Sequence, residues 1–433
     1  MLLPACSHCA NLFKGIKRSL FSKDFIAEHR QRPKDSTRQR SLGFAQVAVL
    51  ILGDLRSALH IELDRFFEQL DPLPAVTASA FSQARLKLLP SAFVAIWQQL
   101  VERFYQQSPG LRWGGLRLLA IDGSTIRLDG VDQKCRHHFD PRAEAKGRCP
   151  LARVSTCHDV LNKIPIDATL APYEVDERSL AVGHLDFATK EDLVLLDRGY
   201  PCFWMFREMM DRKVKFCIRL PVKKWTVFLG DFPTCTAIEK ILTLEPSPKL
   251  ARECRDRNLS EQAIELRVIK VVLNTGEIEI LVTNLMDSEQ WPADQFPELY
   301  HQRWGVEESY KLDKSRLELE RWSGKSLRAV EQDFYGRLLL ATISACVAKL
   351  AEPLIKESTQ SRQHTYQVNQ TRVLSILRKH IVPLLLLGRL SVRLKEILSK
   401  CVHNPCVVRP ERSYPRRSGK APGRFHMAYK PIS

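Results

Sequence analysis

Apolar positions along this chain follow two rhythms. Two short unbroken runs, Leu116-Arg-Leu-Leu-Ala-Ile121 and Leu193-Val-Leu-Leu196, have the length and composition of strands buried on both faces. Each stops at an aspartate followed closely by glycine, Asp122-Gly123 and Asp197-Arg198-Gly199. A different pattern, strict alternation, marks Ala263–Val272 and Glu277–Val282. The turn-forming Asn274-Thr-Gly276 between them predicts a hairpin. Between residues 112 and 220 the pattern gives the order β-β-β-α-β-α-β. Strands are expected near 116–122, 152–159, 163–170, 193–197 and 214–219, and helices near 176–186 and 201–212.

On either side of this region the sequence is helical. Residues 41–108 read as helices broken at Asp71-Pro-Leu-Pro74 and at Pro90, with Thr77 as an N-cap. Short helices of this kind suit helix-turn-helix DNA reading and an ordinary small bundle equally. The chain is helical again from about residue 352, before a tail rich in proline, arginine and glycine that begins at Arg409. Such a tail has no apolar periodicity and suits disorder or a strand draped on DNA.

Charge narrows the class of partner. The 433 residues carry a formal net charge of +17, which points to a polyanion, most simply nucleic acid. Residues 1–40 concentrate cations, among them Lys14, Lys17, Arg18, Arg30, Arg32 and Lys34, and read as a basic arm. A second basic segment, Lys134 to Arg148, lies between the first two strands and suits either flanking DNA or a solvated loop. No apolar run reaches the roughly eighteen residues of a membrane span. Val47–Leu52 and Leu338–Ala348 read as buried helix, and the N-terminus lacks a signal-peptide layout. Of the twelve cysteines, Cys6-x2-Cys9 is half a zinc site without a nearby second half. Most of the others sit in apolar context as small hydrophobes.

Candidate chemistry begins with the two aspartates. The C-terminal end of a buried strand is where an open sheet presents side chains to a ligand, although Asp-Gly is also a common turn. Downstream, Tyr300, Arg303, Glu307 and Lys314, joined by Lys311, share a stripe roughly 60–80° wide and about 21 Å long on an α-helix. A solvated face with a Glu307–Lys311 pair would show the same spacing. Trp225, flanked by Lys223 and Lys224, reads as a base-stacking residue beside phosphates or as a tryptophan packed on a sheet.

Together these pieces resemble the DDE transposases of bacterial insertion sequences, in the group with the Tyr-Arg-Glu-Lys signature. The matching residues are Ile121-Asp122-Gly123-Ser124, Leu196-Asp197-Arg198-Gly199-Tyr200, Leu281-Val-Thr-Asn-Leu285, and the tetrad Tyr300, Arg303, Glu307 and Lys314. Ser79-Ala-Phe81-Ser-Gln83-Ala-Arg85 is similar to the family's N-terminal helical region. The resemblance spans roughly residues 40 to 350. It implies an α/β fold with an RNase H-like catalytic core over 109–220 and 290–351. A β-rich insertion would occupy 221–289, an N-terminal helical domain 41–108, and C-terminal helices with the basic tail 352–433.

The resemblance also implies chemistry. Asp122, Asp197 and Glu307 would be catalytic and hold two Mg²⁺ ions about 3.5–4 Å apart, with Mn²⁺ as a substitute. Tyr300, Arg303, Lys311 and Lys314 would grip phosphates of the transposon end. Expected partners are double-stranded DNA, at transposon ends and target, and a second copy of the chain on that DNA. A bacterial, cytoplasmic site of action is expected, with no membrane. The activity expected is metal-dependent cut-and-paste transposition, with release through a DNA hairpin a family possibility. An RNase H-like nuclease without strand transfer and a catalytically silent DNA binder are alternatives. A glycosidase built on paired carboxylates is disfavoured by the charge.

Overall fold

The computed structural model describes residues 2–37, 41–70, 76–108, 110–273, 275–306 and 317–408. The chain divides into two compact units, Gly110–Ile126 with Leu151–Leu312, and Met1–Pro109 with Arg127–Pro150 and Asp313–Ser433.

The first unit is built on one eight-stranded sheet in the order β3-β2-β1-β4-β5-β8-β7-β6. The strands are β1 Arg117–Arg127, β2 Leu151–Asp159, β3 Ile164–Pro172, β4 Asp192–Leu196, β5 Lys215–Leu220, β6 Glu239–Leu244, β7 Ile264–Val272 and β8 Ile278–Thr283. Neighbours β1, β4 and β5 run parallel. The β2–β3 pair and the run β5-β8-β7-β6 are antiparallel. Leu118, Leu119 and Ala120 in β1 and Leu193, Val194 and Leu195 in β4 are all at 0 % exposure. Strands covered on both faces need no polar alternation, which is why these runs are apolar throughout. Parallel neighbours need crossovers, and the helices Glu177–His184 and Phe203–Asp211 supply them.

The expected strands and helices between 112 and 220 are all present, within a few residues of their expected bounds. One expectation needs correcting: β1 does not stop at Asp122 but runs on to Arg127. The apolar run ends there because burial ends, while the Gly-Ser-Thr that follows keeps the backbone extended. The expected hairpin is β7–β8, with Gly276 at φ 81° in its turn. Asn274 lies outside the described residues. This segment pairs with β5 through β8, so its strands continue the same sheet. Thr283 and Asn284 fasten the join. Thr283 Oγ1 donates to the Phe216 carbonyl at 2.6 Å, and Asn284 accepts from Phe216 N at 2.9 Å.

The second unit is helical. Its long helix Leu327–Ser358 packs with Leu2–Phe21, Phe44–Leu52, Ser91–Gln107, Gln370–Leu386 and Leu390–Val402. By length and composition that helix passes for a membrane span, with a mean hydropathy of 1.7 over its best window, but 72 % of the window is buried inside the protein. It is a core helix. Residues 2–21, expected in a basic arm, are a core helix as well, burying Cys9, Leu12, Phe13, Ile16 and Leu20. The cations alternate with an apolar i, i+3, i+4 face that a count of charges hides. Burial pushes the Cys9 thiol well up, as befits a structural cysteine. Arg85, part of the quoted N-terminal motif, is buried in an ion pair with Asp333 at 2.6 Å. Asp54 takes Arg337 at 2.9 Å and Arg56 at 2.7 Å. The tail from Arg409 lies outside the described residues.

Candidate catalytic site

Register brings the two aspartates together. In the β1–β4 ladder Ala120 is opposite Leu195, so Asp122 and Asp197 lie the same two positions farther along parallel neighbours, about 4.8 Å apart strand to strand. Both are half-buried, as side chains at the rim of a sheet are.

Their loops hold them. Gly123 N donates to Asp122 Oδ1 at 2.9 Å, and Gly199 N to Asp197 Oδ1 at 2.7 Å. A Cβ on Gly199 would fall 3.0 Å from that same Asp197 oxygen, so a side chain there would press on the carboxylate. Asp197 has Oδ2 without a hydrogen bond among the described residues. Two rim carboxylates on adjacent strands are the hard oxygen donors that a divalent cation takes. Among the described residues no group of three His, Cys, Asp or Glu stands together to hold a metal. The third expected ligand, Glu307, lies outside them.

Neighbouring residues of one helical turn reach both loops. The helix Glu177–His184 is capped by Asp176, which accepts from Ser179 N at 3.1 Å. Glu177 lies against Gly123 so closely that a Cβ there would sit 2.8 Å from the Glu177 carboxyl carbon. Its carboxylate pairs with Arg153 of β2, whose guanidinium lies 5.3 Å from the Tyr173 ring centre. Arg178 donates twice to the Gly199 carbonyl, at 3.0 and 2.8 Å. Arg153, Asp176, Glu177, Arg178 and Gly199 line a cavity of about 420 Å³ together with Tyr200.

Tyr300 approaches from the other side of Asp197. It is buried, and its hydroxyl donates to the Leu196 carbonyl at 3.2 Å. Burial pushes its phenol pKa up, against the opposing pull of Arg303 and Arg219, so it acts as a neutral donor. Arg303 is 7 % exposed, with its guanidinium 5.7 Å from the Tyr300 ring and 5.4 Å from that of Trp304.

The expectation of one straight helix through the tetrad is corrected. The helix Phe296–His301 ends at Gln302, and Arg303, Gly305 and Val306 N each bond three residues back. Gly305 is a weak helix former, and a Cβ on it would already lie 3.4 Å from Val160. The helix is therefore interrupted at Gln302 and Arg303, and residues 304–306 are helical again. Glu307, Lys311 and Lys314 lie outside the described residues. Trp225 is half-buried against Phe206 and Phe228, at 5.7 and 5.8 Å between ring centres.

Several supporting residues carry no sequence signal. Arg153, Glu177 and Arg178 meet the aspartate loops only through the fold. Arg267 in β7 is buried, pairs with Glu239, and donates to the Leu285 and Trp291 carbonyls at 3.1 and 2.8 Å. It thereby anchors the segment leading into the helix that carries Tyr300. An arginine within a strand alternation looks like an outward-facing residue until the fold is known.

Comparison with known proteins supplies a family. The family model for the transposase DDE domain matches residues 113–343. A curated protein, the transposase InsG of insertion sequence element IS4 from Escherichia coli K12, is 22 % identical over 269 residues. That alignment covers 61 % of this chain and 60 % of the length of InsG. Among solved structures, the piggyBac transposase synaptic complex with hairpin DNA, determined by cryo-EM, covers 90 % of this chain and 85 % of its own. Its TM-score is 0.42 at 12 % identity, a likeness too slight to argue from.

Proposed function

The chain belongs to the transposase DDE domain family, whose model matches more than half of it, and we propose that it is an insertion-sequence transposase. The reaction is metal-dependent cleavage of DNA at the ends of its own element, followed by strand transfer. The observation that carries this reading is the parallel register of β1 and β4, which brings Asp122 in β1 alongside the end of β4, where Asp197 is the next residue. The strand order β3-β2-β1-β4-β5, with β1, β4 and β5 parallel, supports an RNase H-like core. Tyr300, bonded to the carbonyl just before Asp197, and Arg303, beside the Tyr300 ring, support the Tyr-Arg-Glu-Lys group, with Glu307 as the third acidic residue and Lys311 and Lys314 on DNA phosphates.

The family implies a divalent ion, and Mg²⁺ suits this oxygen-donor site best. Asp122, Asp197 and Glu307 would hold the ions. Bound there, these supply activation of a water or 3′-hydroxyl and charge relief on the leaving oxygen. The chain's own residues do the positioning. Gly123 and Gly199 N–H groups orient one oxygen of each aspartate. Arg178 and Tyr300 fix the backbone on either side of Asp197. The partners are double-stranded DNA and a second copy of the chain bound to it.

The test is cleavage of a labelled duplex carrying the element's own end, with Mg²⁺ or Mn²⁺, by the intact protein and by Asp122→Asn and Glu307→Ala. The expected result is cutting at the element boundary that needs metal and vanishes in both variants while DNA binding survives. Equal cutting by all three proteins would remove these carboxylates from the chemistry.

A further inference from the structure

The crossover helix Glu177–His184 reaches both aspartate loops from its first turn, yet little apolar surface holds it in place. Of its eight residues only Ala181 and His184 are buried. A helix of two turns is not stable by itself and takes its placement from tertiary contacts. One alanine supplies little of the apolar burial that usually seats a helix. The other buried residue is polar, and both of its ring nitrogens are bonded to the sheet. His184 Nδ1 lies 2.6 Å from Asp167 Oδ2, and Nε2 lies 2.9 Å from Ser155 Oγ. A carboxylate only accepts, so Nδ1 carries a proton, while the serine hydroxyl can donate to Nε2 or accept from it.

Strand register brings the partners of His184 together. Asp167 of β3 is opposite Cys157 of β2, two residues on from Ser155. Asp167 and Ser155 therefore present their side chains on the same face of the sheet. On the helix, Glu177, Ala181 and His184 recur at i, i+4 and i+7 and form one stripe. At 1.5 Å per residue that stripe is about 10 Å long. Strand β2 meets it at both ends, through Ser155 at His184 and through Arg153, two residues earlier, at Glu177. An aspartate, a histidine and a serine linked in this order also make a nucleophilic triad. Here Ser155 and His184 are both at 0 % exposure and Asp167 is at 8 %, so no substrate reaches the hydroxyl. The arrangement fastens the helix and does not react.

We propose that His184 is a positioning residue for DNA cleavage, locking the crossover helix so that Glu177 and Arg178 hold the loops of Asp122 and Asp197. The assignment rests on the transposase reading above. At the other end of the same helix Glu177 packs against Gly123, and Arg178 donates to the Gly199 carbonyl. Those two glycines donate their N–H groups to Asp122 and Asp197. A shift of the helix therefore passes to both carboxylates through two short hydrogen-bonded loops.

The first test is amide hydrogen exchange in the full chain without metal. His184→Asn keeps a donor toward Asp167 and loses the reach to Ser155. Ser155→Ala leaves the imidazole–carboxylate pair in place, so it keeps the test open should the histidine variant unfold. In both, the Gly123 and Gly199 amides should exchange faster, while the amides of β4 and β5 keep wild-type protection. The second test is single-turnover cleavage of a duplex carrying the element's own end. His184→Asn should slow it about 10–100-fold, the range for residues that support metal ligands, with duplex affinity unchanged. Added to Arg178→Ala, it should cost far less than it does alone, because the two act through one contact. Wild-type exchange at both glycines would overturn the proposal, as would cleavage losses that simply multiply. Loss of protection throughout β4 and β5 would overturn it too, marking His184 as a residue of the core alone. If the unaltered chain does not cut the element's end, the transposase reading fails, while the exchange result still decides whether His184 locks the loops.

Discussion

Gly123 and Glu177 meet in space although no local pattern relates them. A methyl group on Gly123 would intrude on the Glu177 carboxyl, and overpacking of this kind costs about 1–3 kcal/mol. Gly123→Ala should therefore displace Asp122 and slow cleavage, and adding Glu177→Ala should restore much of the rate. Single-turnover cleavage by the two single variants and the double variant checks this coupling, and simple additivity would remove it. Arg178→Ala should slow cleavage about 10–100-fold, the range for residues that support metal ligands. DNA affinity should hardly change, since Arg178 acts through the Gly199 carbonyl. Arg178→Lys should recover part of the rate, because a lysine can still donate to that oxygen. A parallel loss of DNA binding would show that the guanidinium contacts DNA instead. The aspartates were legible in the sequence because each ends an apolar run. Glu177 and Arg178 were not, because their roles exist only once the crossover helix lies over the strand ends.

Helices of the second unit illustrate what local signals do and do not carry. Thr77 was readable as an N-cap, and its side chain accepts from Ala80 N at 3.1 Å. Arg85 was read as part of a motif, while its actual role is to pair with Asp333 inside the helical unit. Burial pushes the Asp333 carboxyl up, but Arg85, Arg337 and the Ser323 donors outweigh it and leave the pKa below the usual carboxylate value. A carboxylate depressed on folding contributes stability that is full above its unfolded pKa, about 3.9, and fades as pH falls through the lower folded value. The helical unit should accordingly lose stability on acidification below about pH 4. Arg85→Met should cost about 3–5 kcal/mol near neutral pH by stranding a buried charge, and it should flatten the acid dependence. Denaturant melts at several pH values measure both effects. An unchanged acid limb in the variant would assign that limb to other carboxylates.

At the scale of the whole chain, charge and chemistry separate. On the proposed transposase reading, the net charge of +17 serves DNA attachment, and the two described rim carboxylates serve the reaction. Chelating divalent ions should thus abolish cleavage yet leave duplex binding intact at low salt. Raising salt should weaken binding steeply, whether or not metal is present. Gel-shift and cleavage assays run side by side read the two independently, and loss of binding on chelation would contradict the separation. The sequence by itself determined the strand and helix order of the sheet region, because burial on both faces demands unbroken apolar runs. It also marked out the two aspartates and the polyanionic partner proposed for the chain, both written in short stretches or in totals. Only the tertiary structure decided that Asp122 lies alongside the end of β4, next to which Asp197 follows, that β8 joins β5, and that residues 2–21 belong to a core. It also showed that the helix bearing Tyr300 stops before Glu307. Each of these depends on strand register, packing or a turn between distant segments. Local composition carries no record of which distant residue fills the space alongside.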